Sequence, residues 1–221
     1  MSREIVLGRI HAALQQSSVH LDETSEVSQS GTYRRASELS PAEVRRLFDR
    51  RLEEYGARVF DCGEHDLAEK IAAILLQGNR RNIALPGGIA AQWLDSRIEW
   101  MVDEGLSFAQ LDAVDGVLTA ATAAVAESGS IVLQHGPSEG RRALTLLPDY
   151  HLCILFDHQI VATLPECFDR LRATAARPTT FISGPSATAD IEMTRIKGVH
   201  GPRSLDVVVV SSLQSAPAEV Q

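Results

Sequence analysis

A run of four valines, Val207 to Val210, following Leu205 constrains this chain more than any other stretch. A segment that is apolar on both faces does not suit a half-solvated sheet, so the run predicts a short strand buried within a parallel sheet. It closes a longer stretch, Thr180 to Ser211, that contains two Gly-Pro corners, Gly184-Pro185 and Gly201-Pro202. Thr180, Phe181 and Ile182 read as a second buried strand. Ser183, Ser186, Thr188, Asp190 and His200 lie between the two strands, more polar side chains than a plain connection needs. A strand that ends in Gly-Pro-Ser-x-Thr is expected to enter a helix over Ala189 to Arg195. The unpaired amides at such a helix start suit an anion. They equally suit a capping hydroxyl from Ser186 or Thr188, with Asp190 and Glu192 as first-turn acids.

The upstream chain supplies the partners such a strand requires. Ser40-Pro41-Ala42-Glu43 is a capping box with proline at the first helical position, so a helix is predicted from there to about Tyr55, stopped by Gly56. Ala57 to Cys62 reads as a strand, Asp66 to Leu76 as a helix and Ile83 to Leu85 as a strand. That strand runs into Pro86-Gly87-Gly88 and a helical segment containing Trp93. Alternating helices and strands predict parallel βαβ units with helices on both faces of an open, mainly parallel sheet. Gly87 and Gly88 then fall at the C-terminal end of a strand, where open α/β sheets place ligands, although a tight turn alone also asks for glycine.

Val114 to Val125 and Ile131 to Leu133 read as strands joined through Glu127-Ser128-Gly129-Ser130, a hairpin or bulged corner. Glu127 at that corner is either a solvent-facing turn acid or a carboxylate aimed into a pocket beside backbone amides. In the loop His135 to Arg142, Arg141 and Arg142 either hold an anionic ligand or are solvated. His151 to Phe156 is a further strand, Asp157-His158 a hairpin-like turn, and Pro165 to Ala176 an amphipathic helix. At the N-terminus, Ser2 to Gln16 suggests a short amphipathic helix, followed by a polar linker to Leu39. Residues 1–39 therefore form a helical arm and linker, 40–212 the α/β domain and 213–221 a frayed tail.

A net charge of −8 without a basic run excludes nonspecific nucleic-acid binding. Three widely spaced cysteines, Cys62, Cys153 and Cys167, make neither a disulfide framework nor a cluster motif, so no cofactor is expected in this chain. The histidines and acids are not at metal-ligand spacing, and no dinucleotide fingerprint is present. No apolar run is long enough to span a membrane, and the N-terminus lacks a signal-peptide pattern, so the expected location is cytoplasmic.

The segment Ser183-Gly184-Pro185-Ser186-Ala187-Thr188-Ala189-Asp190-Ile191-Glu192, followed by Gly198-Val199-His200-Gly201-Pro202-Arg203, resembles the C-terminal signature of the LUD domain, specifically the lactate utilization protein C (LutC/YkgG) family. Gly116 to Ala121 and Ala126 to Leu133 resemble the family's paired strands, and Arg142 to Pro148 its connection into the next strand. The resemblance covers roughly the second half of the chain. It implies the NagB/RpiA/CoA-transferase-like fold and a subunit of a cytoplasmic, three-protein L-lactate oxidation system whose iron-sulfur clusters sit on partner subunits. Under that reading the chain binds a small carboxylate or organises those partners. Its ligand contacts come from Gly87, Gly88, Ser128, Gly129, Ser183, Gly184, Ser186, Thr188 and Asp190. His200 either exchanges a proton or holds its corner by bonding the backbone. The alternative is a free-standing CoA-ester or nucleotide-binding transferase of the same fold, with Glu127 as nucleophile.

Overall fold

The computed structural model describes residues 3–16, 35–189, 195–197 and 201–211. Two compact units divide the chain at Arg34/Arg35. In the first, α1 (Arg3–Gln16) is a regular helix. Its apolar residues include the consecutive Ile5, Val6 and Leu7, which point in three directions at about 100° per residue, so it lacks the clean amphipathic stripe expected.

The second unit is built on six parallel strands. They are β1 (Arg58–Gly63), β2 (Asn82–Leu85), β3 (Glu99–Val102), β4 (Gly116–Ala120), β7 (Tyr150–Phe156) and β12 (Ser204–Ser211), in the order β1-β12-β7-β4-β2-β3. The valine run sits between β1 and β7, with Val207 opposite Cys153 and Val209 opposite Leu155. Alternation along β12 feeds two cores. Val208 and Val210 pack with Leu67, Ile71 and Leu75 of α3 (Leu67–Gln77), whereas Val207 and Val209 pack with Phe48 and Leu52 of α2 (Pro41–Glu54). Phe48 and Leu52 are fully buried, each stabilising the fold by roughly 1.5–3 kcal/mol.

Helix α2 begins at the predicted capping box: the Ser40 N–H donates to Glu43 at 2.8 Å, and the Glu43 N–H donates to the Ser40 hydroxyl at 3.4 Å. The face carrying α2 is also covered by a second sheet of β5 (Ala123–Val125), β6 (Ser130–Leu133), β8 (Ile160–Val161) and β9 (Thr180–Ile182), in the order β8-β5-β6-β9. The Val114 to Val125 segment is therefore two strands in different sheets. Asp157-His158 is a one-turn 3₁₀ link from β7 into β8 rather than a hairpin turn. The segment around Trp93 is likewise a single 3₁₀ turn, and Glu99–Val102 forms the edge strand β3. Short helices α4 (Phe108–Asp112) and α5 (Leu164–Leu171) complete the unit. The capping box of α5 pairs Thr163 with Glu166.

The helix expected from Ala189 to Arg195 is not formed at either end of that stretch. Residues β10 (Ala187–Ala189) and β11 (Arg195–Lys197) pair antiparallel, with Thr188 opposite Ile196. The Ser186 N–H, which a helix start would leave unpaired, donates to Pro202 O at 2.8 Å. A partner distant in sequence thus takes the donor that local signals assign to a cap. Among the described residues no helix is long and apolar enough to cross a membrane.

Candidate functional site

The sequence-predicted residues divide between the two ends of the parallel sheet. Helix α2 joins β1 through a connection of only Tyr55 to Ala57, so its last turn stands beside the N-terminal ends of the strands. The corner Glu127 to Ser130 packs there. Gly129 has φ +59°, and a Cβ at that position would lie 2.7 Å from Arg51 Cβ. Gly184, with φ +80°, comes equally close: an added Cβ would lie 2.3 Å from Tyr55 Cβ. Both glycines therefore meet a positive φ and a close approach to α2.

These contacts bring two corners together around a chain of hydroxyls. Ser128 Oγ lies 2.8 Å from Ser130 Oγ, which lies 2.7 Å from Ser183 Oγ. Ser130 is buried and Ser183 is exposed, so the chain leads from the interior to the surface. The 2.8 Å bond from Ser186 N–H to Pro202 O closes one Gly-Pro corner on the other. Glu127 lies on the exposed side of its turn. Its N–H donates to Ala162 O at 3.0 Å, and its carbonyl accepts from Arg51 Nε at 3.2 Å. Thr188 is on β10, while Asp190 and His200 lie outside the described residues. A linked row of hydroxyls can accept and donate to a small polar ligand, a binding rather than a bond-breaking arrangement.

Gly87 and Gly88 are at the opposite end, after the C-terminus of β2. Strand β2 connects onward to β3 on one side and β4 connects towards β7 on the other, so the crevice between their C-terminal ends is the topological switch point. The chain's own loop from Gln134 to Gly140 covers it. The Gly88 N–H donates to Pro137 O at 2.9 Å, and the Ala120 N–H to Ser138 O at 2.9 Å. Glu139, a residue that reads as part of a solvated loop, is only 3% exposed. Its carboxylate accepts the N–H groups of Gln134 at 2.6 Å and Gly136 at 3.2 Å, together with the Thr122 hydroxyl.

His135 adds a second tie. Its Nδ1 donates to Gly140 O at 2.9 Å, which leaves Nε2, 2.9 Å from Thr180 Oγ1, to accept from that hydroxyl when the ring is neutral. The arginines of this loop are committed within the chain. Arg141 makes two bonds to Asp103, at 2.7 and 3.0 Å, and another to Leu106 O. These bonds lower the Asp103 pKa below the usual carboxylate range. Arg142 holds Thr145 O at 2.9 Å. Replacing Gly88 with alanine would place a Cβ 2.5 Å from the Pro137 carbonyl carbon. Urea unfolding of Gly88→Ala is therefore expected to show a loss of about 2 kcal/mol, the scale of overpacking against fixed backbone.

A cavity of about 900 Å³ lies near the C-terminal ends of β7 and β12. Its polar lining includes Arg45, Asp157, His158, Glu166, Arg170 and Ser211, and among the described residues none of the sequence-predicted site residues lines it. The only local sign of it is Asp157-His158 directly after the apolar run of β7.

An all-parallel six-stranded sheet with α3 on one face, and α2 with a small second sheet on the other, defines an α/β protein whose polar corners are carried by strand-to-strand connections. The model of the LUD domain family matches residues 38–210, and the chain belongs to that family. It is 44% identical over 175 residues to lactate utilization protein C of Deinococcus radiodurans, covering 78% of this chain and 82% of the relative. A protein of the same name from Bacillus subtilis is 32% identical over 120 residues, about half of each chain (51% and 50%). The crystal structure of a DUF162 family protein from Deinococcus radiodurans superposes with a TM-score of 0.68 at 39% identity, covering 78% of this chain and 99% of that one.

Proposed function

We propose that the chain serves in lactate utilization as a subunit that binds a small carboxylate and works with iron-sulfur partner subunits. The observation that carries this reading is the 44% identity to a protein named lactate utilization protein C over 82% of that relative's length. Lactate becomes pyruvate by losing two electrons and two protons. In this proposal the electrons pass to clusters on the partners, and this chain binds and orients the acid. The cysteine environments support placing the clusters elsewhere. Cys62, Cys153 and Cys167 are on three different elements, β1, β7 and α5, without the closely spaced set of a cluster motif.

The end of the sheet carrying Ser128, Gly129, Ser183, Gly184 and Ser186 is the proposed contact region, with Thr188, Asp190 and His200 contributed by the adjoining segments. Gly87 and Gly88, at the other end, are not part of it. A nucleophilic role for Glu127 has less support, because the residue is exposed at its turn.

His200 is the proposed proton-exchanging group. In cells that oxidise L-lactate through this system, His200→Ala is expected to lower L-lactate-dependent dye reduction by about 10²-fold or more, the scale of general acid–base catalysis. Undiminished activity would remove His200 from the chemistry.

A further inference from the structure

The N-terminal end of the sheet also holds a cleft of about 470 Å³ lined by Gly56, Arg58, Gln77, Gly78, Arg80 and the segment Arg203 to Asp206. Three arginines converge on it in a chain whose net charge is −8. Two of them are held rigidly. Arg58 makes paired bonds to Asp206 at 2.8 and 2.5 Å, and Asp206, 1% exposed, also accepts the Tyr150 hydroxyl at 2.6 Å. The Arg80 guanidinium lies over the face of the same Tyr150 ring, 3.7 Å from its centroid. Room for this comes from Gly78: a Cβ there would stand 1.9 Å from Arg80 Nη1. Arg203 is anchored through its backbone, its N–H donating to Asp149 O at 2.8 Å, while its side chain reaches Asp149 at 3.4 Å with both groups more than half exposed.

The charges do not cancel. Asp206 is engaged by Arg58, the exposed Arg203–Asp149 pair is loosely held, and no carboxylate among the described residues pairs with Arg80. A guanidinium held over an aromatic face by its central carbon still has N–H groups at its edge that can donate to an oxyanion. The volume falls within the range of small-molecule sites.

We infer that this cleft is a binding site for a dianionic oxyanion group, a phosphate or a dicarboxylate, held by Arg80 and Arg203, with Arg58 and Asp206 fixing the Tyr150 platform. The inference does not depend on the proposed role in lactate utilization, and its test uses neither lactate nor the partner subunits. Calorimetric titration of the full chain at constant ionic strength with inorganic phosphate and, separately, malonate is expected to show saturable binding of one anion per chain. Arg80→Gln is expected to weaken that binding at least tenfold, and Arg203→Gln at least threefold. Tighter binding of phosphate than malonate identifies a phosphate-bearing ligand, and the reverse order a dicarboxylate. Absence of saturable binding of either anion to the wild-type chain overturns the inference. So does wild-type affinity in Arg203→Gln, an exposed change that leaves the Tyr150 platform intact and decides the question alone should Arg80→Gln fail to fold.

Discussion

Replacing Asp206 with alanine is expected to destabilise the fold by about 3 kcal/mol, at the lower end of the cost of breaking a buried charge pair. Asp206 lies on β12 between β1 and β7, and its carboxylate is nearly inaccessible, with 2% of its side-chain surface exposed. It accepts from Arg58 on β1 and from Tyr150 on β7, so one side chain ties the three strands at their N-terminal ends. The two partners respond differently to its loss. Arg58 is 55% exposed on its side chain and can turn to water, which is why the cost lies at the lower end of the range. The Tyr150 hydroxyl is buried and loses its acceptor, a penalty of roughly 1–3 kcal/mol by itself. Arg58→Ala leaves the buried carboxylate without its cation, so urea unfolding should show a loss at least as large for that variant. In the double variant of Asp206→Ala with Tyr150→Phe the losses should fall short of their sum, because the hydroxyl that suffers is already gone. Additive losses would show that the hydroxyl and carboxylate are not coupled.

His151 is expected to make the fold acid-sensitive. It is 1% exposed on β7, with Nε2 2.8 Å from Thr119 Oγ1 and no hydrogen-bond partner for Nδ1 among the described residues. Burial, with a further push from the Arg142 charge, lowers its pKa to about 4. The folded protein therefore keeps the ring neutral where the unfolded chain, near 6.5, takes up a proton. The unfolded state binds more protons between those two values, so stability falls as pH drops from about 6.5 towards 4. At about 1.4 kcal/mol per unit, the contribution reaches about 3 kcal/mol at the lower limit. His151→Gln keeps a hydrogen-bonding group beside Thr119 but has no proton to gain. Its stability should therefore decline less over this window, and the difference between the two curves isolates His151 from the other titrating groups. Parallel curves would contradict the assignment.

The elements that could be read from the sequence are those whose signal is local. β12 and β7 are apolar on both faces because both faces are covered, and α2 announces its start through Ser40, Pro41 and Glu43. The segment after Pro185 misleads because Ser-x-Thr behind a Gly-Pro corner suits a cap or a turn equally. Pairing with Arg195–Lys197 and the bond from Ser186 to Pro202 decide between them, and both partners are distant in sequence.

The same limit governs the site. Ser128 and Ser183 were recognisable as polar corner residues, and Ser130, with a side chain linked to both, brings the corners together. Glu139 reads as a loop acid until Thr122, 17 residues earlier, supplies its enclosure. Arg141 resembles an anion anchor until Asp103, 38 residues earlier, occupies it. Arg58, Arg80 and Arg203 have no common sequence pattern at all, since only the folding of β1, the turn after α3 and the approach to β12 places them around one cleft. Gly87 and Gly88 follow the C-terminal end of β2, as the local pattern predicts, and only the fold shows that this end is opposite the serine cluster.

L-lactate-dependent dye reduction in extracts of the native host, with the gene for this chain deleted and then restored, tests the central claim most directly. The account predicts that reduction is lost in the deletion strain and returns with the wild-type gene. Equal reduction with and without the chain would contradict a role in lactate utilization.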